Sequence, residues 1–72
     1  MRQGDLSSGE QRDTLRKVGT LAHNRSFTRR EFGEYGGTPR EWEWLRRRGV
    51  IVHNGGHWYP TADGWARIEK DA

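Results

Sequence analysis

The sequence predicts an α+β domain: a core of three helices, then a short β-hairpin, then a C-terminal helix. Three observations predict it. Thr28-Arg29-Arg30-Glu31 and Thr38-Pro39-Arg40-Glu41 both have the Thr-x-x-Glu pattern. In that pattern a hydroxyl and a carboxylate satisfy the free amides at a helix start. Between the two stands Gly36-Gly37, which stops one helix and turns the chain into the next. Finally, the β-branched run Val50-Ile51-Val52-His53 leads into Asn54-Gly55, a favoured hairpin centre.

Taken in order, residues 1–7 are polar and without periodicity, and are expected to form a flexible tail before a single domain over 8–72. Ser8 caps the first helix, expected over 9–23, with Gln11 returning the bond. Leu15, Val18 and Ala22 recur there at helical spacing, with Leu21 beside them. Phe27 is a short extended link anchored in the core. The second helix is short, 28–35, with Phe32 and Tyr35 on one face. The third runs from Thr38 to Arg48: Thr is the cap, Pro39 fits the first helical position, and Gly49 is the stop. Two helices joined by a tight Gly-containing turn form a helix-turn-helix. A hairpin centred on Asn54-Gly55 sets Ile51 opposite Trp58; centred on Gly55-Gly56 it shifts that pairing. His57-Trp58-Tyr59 is the returning strand, and Pro60 ends it. Thr61 caps a last helix, 61–71, with Trp65 and Ile68 facing inward.

Leu, Ile, Val and Phe supply only 11 of the 72 residues. Such a content signals disorder only when net charge is also high, and the formal net charge is +3. Four tryptophans, each able to bury roughly 150–250 Å², make an aromatic-heavy core. There is no cysteine, hence no disulfide and no thiolate metal site. No apolar run approaches the roughly 20 residues that span a bilayer, and the N-terminus lacks the apolar stretch of a signal peptide. The expected location is the cytoplasm. Charge is concentrated: residues 12–48 carry a balance of +5, and each flank carries −1. Eleven of the 13 basic residues are arginine, which suits bidentate contact to phosphate or guanine. A GC-rich genome favours arginine as well. A basic middle and a pI near 10.0 form the footprint of a nucleic-acid binder.

Two local patterns, in this order of elements, resemble the winged helix-turn-helix family of small transcription regulators and excisionase-like factors. Leu45-Arg46-Arg47-Arg48-Gly49-Val50-Ile51 looks like the end of a recognition helix entering the first wing strand. Trp58-Tyr59-Pro60-Thr61-Ala62-Asp63-Gly64 is similar to the second wing strand and the Thr-x-x-Gly start of the following helix. Pro60 departs from the family's usual aliphatic residue, and the wing is very short. The resemblance implies DNA binding, although other winged helices only hold proteins together.

At about 100° per residue, Trp42, Leu45 and Gly49 share the core side of the third helix. The opposite stripe is Arg40, Glu43, Trp44 and Arg47, the candidates for base contact. Arg40 and Arg47 match the O6 and N7 acceptors of guanine. Glu43 either accepts from a cytosine amine or pairs with Arg47 at i+4. Trp44 meets a thymine methyl, docks a protein, or is buried. Arg29 and Arg30 oppose the dipole of their own helix, at about 0.3–1 kcal/mol each, and phosphate contact explains them. Thr38, Arg46, Arg48, His53, Asn54 and His57 are the further phosphate candidates. The hairpin histidines are too few for a metal site, and no cofactor or catalytic motif is present. The expected partner is double-stranded DNA, bound on the nucleoid by a monomer or by DNA-assisted assembly. The alternatives are an acidic protein docked through Trp44 and nearby arginines, and RNA.

Overall fold

The computed structural model describes residues 6–23 and 26–71. Four helices and one antiparallel hairpin follow in the order α1 (Ser8–Leu21), α2 (Arg29–Glu34), α3 (Pro39–Arg47), β1 (Ile51–Asn54), β2 (His57–Pro60) and α4 (Ala62–Asp71). This is the small α+β fold expected, element for element. No helix among the described residues is long and apolar enough to cross a membrane.

Local chemistry sets the helix boundaries. Capping boxes at Thr28 with Glu31, and at Thr38 with Glu41, start α2 and α3. Both helices end in the same way. Gly37 N–H donates to the Phe32 carbonyl and Gly36 N–H to that of Gly33; Val50 and Gly49 repeat the pattern onto Leu45 and Arg46. These paired bonds are a Schellman motif, and they require a left-handed residue just past the cap. Gly36 and Gly49 supply it, at φ 94° and 69°.

The cap of α1 lies one residue earlier than Ser8. Ser7 is the cap: its hydroxyl accepts from Glu10 N–H at 3.2 Å, and Glu10 returns a bond to Ser7 N–H at 2.9 Å. Gln11 donates to the Leu6 carbonyl instead. This start places Leu6 in the core. Leu6 and Ser7, expected in a flexible tail, are therefore part of the domain; residues 1–5 lie outside the described residues.

The hairpin pairs Ile51 with Pro60, Val52 with Tyr59, His53 with Trp58 and Asn54 with His57. The turn is thus centred on Gly55-Gly56, at φ 60° and 86°, and the Asn54-Gly55 centre is corrected. A type I′ turn needs positive φ at both central residues. Two glycines meet that demand without steric cost, and Asn54 stays in the strand. Moving the turn centre by one residue shifts the pairing by two and sets His53, not Ile51, opposite Trp58. Phe27 bridges to Trp58 through two backbone bonds of 2.9 and 2.7 Å, so the link before α2 lies along β2 as expected of an anchored segment.

The core joins α1, α2, α3 and β1 through Leu15, Val18, Phe32, Trp44, Leu45 and Ile51, with Phe27 and Val50 from the adjoining links. Aromatic rings run through it, with Trp42 edge to face against Phe27 and Trp58 and tilted against Phe32. Trp42 stands 6.2 Å from Phe27, 5.4 Å from Phe32 and 4.9 Å from Trp58. Ile68 is buried and Trp65 half-buried where α4 meets α1.

Candidate functional site

The orientation of α3 decides which of its side chains reach solvent. Glu41, Trp42, Trp44 and Leu45 are buried. At about 100° per residue they cover an arc of about 160°. The outward arc is left to Arg40, Glu43, Arg46 and Arg47, all exposed. Arg48 is exposed at the C-cap.

Trp44 is corrected: it is 1% exposed and cannot touch a base or a partner. The reason lies about one turn earlier on the same face of the helix. Glu41 is turned inward and is only 7% exposed. Lys17 Nζ donates to both its oxygens at 3.0 and 3.1 Å, and to Asp13 at 3.1 Å. Thr14 Oγ1 lies 2.6 Å from Glu41 Oε2, and Thr38 N–H donates to Oε1 at 2.9 Å. With Glu41 drawn in, the buried arc is centred between Trp44 and Trp42, and the indole follows. Its Nε1 is, among the described residues, the buried side-chain polar atom left without a partner. That costs about 1–3 kcal/mol. Burying roughly 150–250 Å² of indole at about 25 cal/mol per Å² recovers roughly 4–6 kcal/mol, so burial wins.

Burial by itself would push the Glu41 carboxyl up. The hydrogen bonds from Thr14, the Thr38 amide and Lys17, with the Lys17 charge, outweigh it and hold it below its ordinary value. Lys17 is held above its own: burial opposes this, but Glu41 and Asp13 prevail.

Glu43 accepts from Arg46 at 3.0 Å, so its charge is countered along its own helix. Beside α3 lie two grooves. One, of about 310 Å³, separates α3 from the hairpin and brings together Glu43, Arg46, Arg47 and His53 with Trp58 and Ile51. The His53 ring packs on Trp58 at 4.7 Å, and its Nε2 accepts from Gly56 N–H at 3.2 Å. The other groove, of about 420 Å³, lies between α2 and the start of α3 and collects Arg29, Arg30 and Thr38 over Phe32 and Trp42. Arg30 is 86% exposed and pairs with Glu34 at 3.5 Å. The Thr38 hydroxyl is engaged by Glu41 at both ends of its capping box. Arg40, Arg48, Asn54 and His57 are exposed but line neither groove.

Sequence reasoning missed the Lys17–Glu41 pair. The i,i+4 spacing of Asp13 and Lys17 was readable, but a partner 24 residues away is not. It also missed Trp58 as a groove wall, because the assumed register paired that ring with Ile51. Among the described residues, no group of three or more His, Asp or Glu is placed to hold a metal. Protein-family models, curated proteins and solved structures offer no match to this chain.

Proposed function

We propose that this chain is a winged helix-turn-helix protein that binds double-stranded DNA, as a small transcription regulator or an architectural factor of the nucleoid. The observation that carries the reading is the outward face of α3. Arg40, Arg46 and Arg47 stand there with Arg48 beside them, and the one carboxylate among them is engaged by Arg46. A helix about 10–12 Å wide fits a major groove about 12 Å wide. Arg40 and Arg47 then read guanine edges. Arg29 and Arg30 hold phosphates from α2, with Thr38 beside them at the start of α3, and Arg46, Arg48, His53, Asn54 and His57 hold them from the hairpin side. The role is binding, without catalysis. Docking of a protein through Trp44 drops out, since the ring is inside.

A salt series with random duplex DNA tests the reading. Log affinity is expected to fall with log salt at about −0.9 per phosphate contact. Arg29→Ala should reduce the slope by about one contact, whatever the sequence. Arg47→Ala should cost about 1–3 kcal/mol and relax selection at one base position of a site enriched from a random pool. Duplex RNA is the comparison, because its deep, narrow major groove does not admit side chains. Absence of duplex binding at low salt, or equal affinity for the two duplexes, overturns the proposal.

A further inference from the structure

α1 and α4 enclose a third groove, of about 470 Å³, which shares no lining residue with the two beside α3. Its floor is Leu15, Gly19, Trp65 and Ile68. Its rim is Arg12 and Arg16. Gly19 lets the two helices pack closely: a Cβ on residue 19 would stand 2.9 Å from Ile68 Cγ2. Trp65 in the same lining is half-buried, so part of its surface stays open to solvent. The volume lies within the range of about 300–1,000 Å³ typical of sites that hold a ligand.

The charges name the occupant. Arg12 and Arg16 are exposed, one helical turn apart, and neither forms an ion pair with a described residue. His23 adds a third basic side chain, and among the described residues no carboxylate lines the groove. A second copy of this chain would bring arginine against arginine over the same apolar floor. A partner with carboxylates flanking an apolar side chain instead satisfies both parts. We propose that the α1–α4 groove docks an acidic amphipathic segment of a partner protein. In the helix-in-groove mode, carboxylates at i and i+4 match the spacing of Arg12 and Arg16, and a bulky apolar residue between them covers Trp65.

Selection from a displayed library of random 12-residue peptides on the full chain tests this. Peptides combining Asp or Glu with Leu, Phe or Trp should be enriched. In a 15N correlation spectrum they should shift the Gly19 and Thr20 amides and the Trp65 indole, and leave the α3 amides in place. The double variant Arg12→Glu/Arg16→Glu touches only exposed positions, and its spectrum should report an intact fold. It should lose affinity for the selected peptides by about tenfold or more, and a peptide with its acids changed to Lys should gain on that variant. Several results would overturn the proposal: no enrichment, enrichment of basic or uncharged peptides, equal binding by the double variant, shifts confined to α3, or shifts that appear on concentrating the protein alone.

Discussion

Gly64→Ala is expected to lower the melting temperature by about 8–16 °C, although alanine is the better helix former. Position 64 lies in the first turn of α4, where its N–H donates to Thr61 Oγ1 at 2.9 Å. Thr61 in turn binds the α3–β1 corner through the carbonyls of Gly49 and Val50, and its own N–H donates to Val50. These bonds hold the start of α4 so close to Val50 that a Cβ on residue 64 would collide with the Val50 carbonyl oxygen and stand 3.0 Å from its carbon. The obstacle is backbone, so no rotamer change relieves it. Helix propensity returns at most about 1 kcal/mol. Overpacking costs about 1–3 kcal/mol or more, and each kcal/mol moves the melting point of a domain this size by about 4–8 °C. Gly33→Ala is the control. Space around it in α2 is open, so the same replacement should stabilise by up to about 1 kcal/mol. Thermal melts of the two variants should move in opposite directions; an unchanged melt for Gly64→Ala would refute the close approach.

Glu41→Gln is expected to cost about 2–3 kcal/mol at neutral pH, and much less in acid. The change leaves Lys17, Thr14 and Thr38 around an uncharged amide. Breaking a fully buried pair costs about 3–5 kcal/mol; the Lys17 side chain is 18% exposed, and solvent screening brings the expected cost down to about 2–3 kcal/mol. The folded carboxyl titrates below its ordinary 4.5. Its contribution is therefore complete above 4.5 and is lost as pH falls through the folded value. Lys17 titrates above its ordinary 10.5. Its contribution is complete below 10.5 and is lost as pH rises through the folded value. The pair thus supports a stability plateau between those limits. Urea unfolding of both proteins at pH 7 and pH 3 checks the acid side. The gap between them should shrink at pH 3; a constant gap would mean that the charge contributes nothing. Glu10 is also held below its ordinary value, first by the Ser7 backbone bond. Its acid loss is common to both proteins and cancels.

Much of the site was readable locally, and its failures share one cause. Arg40, Glu43 and Arg47 stand outward as a helical period requires, because that period is a property of the chain alone. Trp44 does not, because its place depends on where Glu41 goes. Reading Glu41 as a cap was correct, yet a capping carboxylate has a second oxygen. Lys17 and Thr14 on another helix claim it, and α3 turns by enough to take the indole inside. The hairpin register slipped for a similar reason. Asn-Gly and Gly-Gly are both good turn centres by composition. The two glycines both adopt positive φ, and Trp58 is held in place by its backbone bonds to Phe27 and by the Trp42 ring.

By itself the sequence determined the number, order and type of elements, the two Thr capping boxes, the Gly stops, and the basic character of α3. All of these rest on interactions spanning nine residues or fewer, the hairpin pairing being the longest. Tertiary structure alone decided where the edge of the outward face of α3 falls, which arginines line a groove, that Leu6 belongs to the core, and that α1 and α4 leave an apolar floor beneath Arg12 and Arg16. Those outcomes depend on contacts between residues far apart in the chain. Periodicity can say that a helix has two faces; the neighbour that packs against it decides where the boundary between them falls.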